Sequence, residues 1–137
     1  MKNNRTLARE VAMKILFARS LGGEDTLEEV LEQSEAGDRL SDKDKTFSEN
    51  EVFGVERFKE ELDEVIAKYS KGWNVSRLAK VDLTLLRMGL FEIVHLPEVP
   101  VGATINEVVE LSKQYGEDKS FSFINGILGA AARELRA

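Results

Sequence analysis

The chain has 137 residues, with 19 Lys and Arg, 25 Asp and Glu, a single His and no Cys. That is one domain's length, and it excludes disulfides, thiolate metal sites, cysteine nucleophiles and any site built on two imidazoles. No apolar run approaches the ~18 residues of a membrane span, and the charged opening MKNNRTLARE lacks a secretory core, so a cytoplasmic protein is expected. Two prolines among abundant Glu, Leu, Ala and Lys favour helix.

Residues 4–21 read as a helix with an apolar stripe at Leu7, Val11, Ile15 and Ala18, stopped by Gly22-Gly23. Thr26-x-x-Glu29 is a capping box opening a second helix that ends near Gly37. Residues 38–47 are polar and read as a loop. Ser48-x-x-Glu51 then caps a long helix to about Ser70, with Val52, Val55, Leu62, Val65 and Ile66 inward; Gly72 ends it. A short helix around Ser76–Lys80 precedes a central one from Asp82, where Leu83, Leu85, Leu86, Met88, Leu90, Phe91, Ile93 and Val94 predict burial on nearly all faces. Pro97 and Pro100 mark a connector. Thr104-x-x-Glu107 caps the next helix, ended by Gly116, and Ser120 caps a last one carrying Phe123, Ile127, Leu128, Ala131 and Leu135. No alternating strand pattern exceeds four residues. The expected fold is all-α, with six or seven helices around one buried helix.

Charge is unevenly spread. Residues 1–21 hold five bases against one acid, a net +4; residues 22–64 hold 16 acids against five bases, a net −11; the remainder holds nine bases against eight acids, a net +1. An acidic body with one basic end points to a single oriented contact with a polyanion. Lys2, Arg5 and Arg9 recur at helical spacing, away from the Leu7 stripe, as phosphate binding from an anchored rod requires. Their bland alternative is a solvated face. Phe17 lies off both stripes and is a candidate interface residue.

Catalysis finds little support. His95 closes an apolar helix before Pro97, with no second imidazole, thiol or serine–base pair for nucleophilic chemistry. Glu28, Glu29 and Glu32, and Glu60, Glu61 and Glu64, read as solvated charge runs. Gly126-x-x-Gly129 reads as close helix packing. Arg87 and Glu92 stand in the central apolar helix; a buried arginine needs a partner, and Asp82, Glu92 and Glu107 are the candidates. The alternative is an arginine presented to RNA or to another protein.

Trp73-x-x-x-Arg77-Leu78, Val81-Asp82, Leu86-Arg87, Phe91-Glu92, Val99-Pro100, Ile105-Asn106-Glu107, Glu110-Leu111, Tyr115-Gly116 and Phe123-Ile124-Asn125-Gly126-Ile127-Leu128 together resemble the NusB family of bacterial transcription antitermination factors. The opening Arg5-x-x-x-Arg9-x-x-Ala12-x-x-x-Leu16-Phe17 is similar to that family's first helix. The likeness spans the chain, least distinctively over residues 22–48. It implies a single all-α domain, residues 1–137, of two packed helical halves, with no catalysis and no cofactor. It implies binding to the boxA segment of ribosomal RNA leader transcripts jointly with the ribosomal protein NusE, in an RNA polymerase antitermination complex with NusA and NusG.

Matched positions place RNA binding on Lys2, Arg5, Arg9, Arg87, Tyr115, Lys119, Ser122 and Phe123, and the NusE contact on Phe17, Ser76 and Asp82. Asn106 is expected at a helix start and Asn125 as a hydrogen-bonding group between helices. Thr6 and Leu7 stand where many relatives carry arginines, Gly129 where an Asp is frequent, and Lys119 where an acid or small polar residue is common. Two other readings remain: a protein-only module, homodimeric or scaffolding, and a stand-alone relative of the NusB-like domain of some RNA methyltransferases.

Overall fold

The structure, a computed structural model, describes residues 3–32, 39–71 and 74–136. Among them are seven α-helices and no strand: α1 (Asn4–Ser20), α2 (Leu27–Glu32), α3 (Asp42–Arg57), α4 (Lys59–Tyr69), α5 (Lys80–His95), α6 (Val101–Tyr115) and α7 (Ser120–Leu135). A 3-10 turn, Val75–Arg77, precedes α5. The chain divides into two compact units, Met1–Glu56 and Arg57–Ala137.

In the first unit, Asn3 caps α1 by accepting the Thr6 N–H at 2.8 Å. Leu7, Val11 and Ile15 of the expected stripe are buried, Ala18 is only half-buried, and Ala8, Ala12 and Leu16 are buried beside them. Gly22, at φ +94°, turns the chain in a region that disfavours side chains. Thr26 accepts the Glu29 N–H at 3.2 Å, so the cap predicted for the second helix forms. Gly37, the expected end of that helix, lies outside the described residues.

The stretch expected as a loop over 38–47 is a helix from Asp42 onward. Ser41 supplies the start: its hydroxyl accepts the Asp44 N–H at 3.2 Å and donates to the Asp44 carboxylate at 3.1 Å. Ser48 is therefore not a cap. It lies buried within α3 and donates to the Ala8 carbonyl of α1 at 2.7 Å, while Glu51 is buried beside it. The expected continuous helix to Ser70 is broken at Phe58, whose ring stacks on His95 with centroids 4.0 Å apart. Gly72 and Trp73 lie outside the described residues.

In the second unit α5 packs against α4, α6 and α7. Leu85, Leu86, Met88, Leu90 and Ile93 are essentially inaccessible, each worth roughly 2–3 kcal/mol of transfer free energy. A Cβ at Gly89 would stand 2.8 Å from a Leu128 methyl, so this glycine sets how closely α5 and α7 approach. The expected packing role of Gly126 and Gly129 is not what the structure shows. Gly126 is exposed, with nothing within 4 Å of a Cβ placed there, and the nearest atom at Gly129 is the Arg133 guanidinium, 3.6 Å away.

Three predicted helix starts move. α5 opens at Lys80, with Asp82 in its first turn rather than capping it. α6 opens directly after Pro100, which leaves Thr104 inside the helix, where its hydroxyl donates to buried Glu92 at 2.8 Å. Ser120 is the first residue of α7, and its hydroxyl accepts the Glu117 N–H at 3.1 Å. Asn106 is exposed well inside α6, and Asn125 is exposed on α7, so Asn125 makes no bridge buried between helices. Arg136 binds the end of α5 to the connector, donating to the carbonyls of Ile93, Pro97 and Val99 at 3.1, 3.2 and 2.8 Å.

Candidate nucleic-acid interface

The cations of α1 are held by their own unit. Arg5 Nε donates to Asp44 at 3.1 Å, and its guanidinium lies 4.2 Å from the Phe47 ring centroid. Arg9 faces the same ring at 5.1 Å and is only 3 % exposed. In this structure Arg9 is a packed cation rather than an open one: α3 reaches across and covers it. Lys14 lies 3.9 Å from Glu10, and Arg19 pairs with Glu56 at 2.6 Å. Lys2 lies outside the described residues. Phe17 is half-buried near the end of α1.

Arg87 is likewise paired within its own unit. Its Nε and Nη2 donate to the two Asp63 oxygens at 2.7 and 2.8 Å, a fork-to-fork pair between α5 and α4. The partner is none of the three acids that sequence offered. Its donor fork faces α4. His95 sits stacked among Phe58 and Phe91, with Nε2 3.2 Å from Glu61. The glutamates of the two charge runs are exposed, as expected.

The second unit contains an open site. The turn before α5, the first turn of α5 and the α6–α7 turn enclose a cleft of about 870 Å³. Arg77, Leu78, Ala79 and Asp82 line one side; Glu117, Asp118, Lys119, Ser120 and Phe123 line the other. Asp82, Lys119 and Phe123, singled out from sequence, thus share one cavity. Tyr115 and Ser122 are not among its lining; Tyr115 is half-buried at the end of α6, and Ser122 is exposed on α7. Ser76 contributes backbone to the 3-10 turn.

Asp82 is the strained group of this cleft. Its Oδ1 is covered and has no hydrogen-bond partner among the described residues. Burial pushes its carboxyl above the usual aspartate range; a hydrogen bond from Ser120 pulls it back, and the Glu117 charge pushes it up further. Arg77, Glu117 and Asp118 are not among the site residues expected from sequence. Their signal was present, since Arg77 belongs to the Trp73-x-x-x-Arg77-Leu78 motif and the two acids fill the turn after Tyr115-Gly116.

Among the described residues no group of three or more His, Asp or Glu could hold a metal ion, and no helix is long and apolar enough to cross a membrane. Residues 6–133 match the model of the NusB family. The transcription antitermination protein NusB of Carboxydothermus hydrogenoformans is 44 % identical over 136 residues, covering 96 % of this chain and 94 % of that one. Its counterpart from Acetivibrio thermocellus is 40 % identical, covering 94 % and 88 %. Among solved structures, T. maritima NusB superposes with a TM-score of 0.84 at 30 % identity, covering 98 % of this chain and 94 % of that one. A chain in the crystal structure of the antitermination factors NusB and NusE with double-stranded RNA gives 0.84 at 28 % identity, covering 98 % and 99 %.

Proposed function

This chain belongs to the NusB family of non-enzymatic transcription antitermination factors, and from that premise we propose that it binds boxA RNA of ribosomal RNA leader transcripts jointly with NusE. The observation that carries the reading is the near-complete structural likeness to a chain of the NusB–NusE–RNA complex. The cleft supports it, because Lys119 and the Phe123 ring on one side face Arg77 on the other, and single-stranded RNA can be stacked and neutralised by such groups.

On this reading Lys119, Phe123, Ser122 and Tyr115 meet RNA, as do Lys2 and Arg5, while Arg9 and Arg87 each order the helices of their own unit. Phe17, Ser76 and Asp82 face NusE. Residues 1–137 act as one functional domain in the cytoplasm, within an RNA polymerase complex that includes NusA and NusG. The acidic body keeps affinity for RNA alone low, and NusE supplies adjoining contacts. Linkage then requires RNA to raise NusE affinity by the same factor that NusE raises RNA affinity.

Titrating labelled boxA RNA with and without NusE, at several salt concentrations, tests this. The expected result is weak, salt-dependent binding alone and tighter binding with NusE, with reciprocal coupling of about 1–3 kcal/mol. Equal RNA affinity in both arms removes the cooperative reading. Absence of RNA binding in both favours the protein-only module.

A further inference from the structure

Two paired arginines, one in each unit, differ in how much of the guanidinium the pairing uses. Arg87 gives Nε and Nη2 to the two oxygens of Asp63 and is 14 % exposed. Arg5 gives only Nε, to Asp44 Oδ1 at 3.1 Å, and is 36 % exposed. A guanidinium carries five N–H donors, so four remain on Arg5, all on Nη1 and Nη2. Among the described residues these four have no hydrogen-bond acceptor.

The first unit nevertheless restrains this side chain from two directions. The guanidinium carbon lies 4.2 Å from the Phe47 ring centroid, and covered Arg9 faces the same half-buried ring at 5.1 Å. Asp44 is fixed in its turn. Its Oδ2 accepts the Ser41 hydroxyl at 3.1 Å, and that hydroxyl accepts the Asp44 N–H at 3.2 Å. Ser41, Asp44 and Phe47 follow one another at three-residue spacing along the start of α3, so one helix supplies the whole support. An ion pair as exposed as Arg5–Asp44 contributes little to stability. Its geometry has a second consequence: an arginine already held loses less rotamer freedom when it meets a ligand. Parallel N–H groups on a guanidinium edge match two oxygens of one phosphate.

We propose that Asp44 and Phe47 are positioning residues for RNA, holding the Arg5 guanidinium so that its Nη groups receive one backbone phosphate. The inference rests on the RNA-binding reading above. Arg5 touches the RNA, and Asp44 and Phe47 act through it. Charge alone predicts the opposite sign for Asp44, because a carboxylate near a phosphate repels it. Asp44 also balances part of the Arg5 charge, so the contact shows in affinity more than in the salt slope.

The test titrates labelled boxA RNA with the full chain, NusE present, at low and moderate salt. Asp44→Ala should weaken binding about threefold although it removes a negative charge, the scale of one side chain losing its preorganisation. Asp44→Asn keeps an acceptor for Nε and should bind at least as tightly as wild type. Arg5→Lys keeps the charge but not the fork, and should weaken binding about threefold with the salt slope unchanged. Phe47→Leu keeps apolar bulk without the ring and should weaken binding likewise. In an Arg5→Ala background, Asp44→Ala should cause no further weakening. Arg5→Lys, a conservative change at a partly exposed position, carries the test should Asp44→Ala lose helical circular dichroism. Tighter binding by Asp44→Ala overturns the inference, because the carboxylate then competes with phosphate for Arg5. So does unchanged affinity in Arg5→Lys or in Phe47→Leu, and so does an equal loss from Asp44→Ala with and without Arg5. Each of these leaves the proposed function standing, since wild type still binds. Absence of RNA binding by wild type, NusE added or not, overturns the function as well.

Discussion

The two units treat charge in opposite ways. In the first, Arg5, Arg9, Lys14 and Arg19 are occupied by Asp44, Phe47, Glu10 and Glu56, so a helix that looks like a basic rod in sequence is largely a packing element. In the second, the Arg87–Asp63 pair likewise joins two helices, but the α6–α7 turn leaves Lys119 exposed and Asp82 short of donors around an open cleft. Counting cations therefore does not by itself rank the units, because several are already paired or packed within the fold. What matters is which charges the fold has already neutralised.

The largest expected effect lies in the paired class. Asp63→Ala leaves the Arg87 guanidinium, 14 % exposed, without its forked acceptor, and should lower unfolding free energy by about 2–3 kcal/mol in urea titration. Arg5→Ala should cost about 1 kcal/mol or less, because that arginine is 36 % exposed and screened by solvent. A larger loss for Arg5→Ala would reverse this ordering. Two glycines sharpen the packing side. Gly89→Ala drives a methyl into Leu128 and should destabilise by about 1–3 kcal/mol. Gly126→Ala enters open space on α7 and should stabilise by about 0.5–1 kcal/mol through helix propensity.

Function tests the comparison directly. Lys119→Ala should reduce RNA affinity several-fold in the NusE complex and lower the log–log salt slope by about one unit. Arg5→Ala, already committed to Asp44 and Phe47, should change that slope less. A greater loss from Arg5 would return the dominant contact to α1. The smallest effect concerns pH. Because the folded-state Asp82 carboxyl holds its proton more tightly than the unfolded one, it favours folding in its protonated form. Its contribution should fall as pH rises from the ordinary aspartate value through the raised one. Asp82→Asn should flatten that part of the stability profile, with Glu117, Asp118, Arg77 and Lys119 facing the group in both proteins. An unchanged profile would mean that Asp82 titrates as it does in the unfolded chain.

Most helices were legible because apolar spacing and local caps act over a few residues. Leu7, Val11 and Ile15 gave α1, and the central apolar run gave buried α5. The misplaced caps show where such local signals mislead. Ser48, Thr104 and Ser120 each look like a cap from the residues that follow. Ser48 instead bonds a carbonyl 40 residues earlier, and Thr104 a carboxylate 12 residues earlier. Ser120 accepts an N–H three residues before it rather than after. A hydroxyl three residues before an acid, as at Ser48 and Thr104, satisfies a capping pattern whether or not its backbone has already entered the helix.

The site divides along the same line. The sequence determined the helical periodicities, the family motifs and the choice of Asp82, Lys119 and Phe123, because local spacing and ordered motifs survive without coordinates. Tertiary structure decided which of the chosen charges remain available. Asp44 and Phe47 lie about forty residues from the arginines they hold, and Asp63 lies 24 residues from Arg87. Burial and ion pairing depend on which distant side chain arrives at a helix face. Helical spacing fixes the face and leaves the arrival to the packing of the rest of the chain.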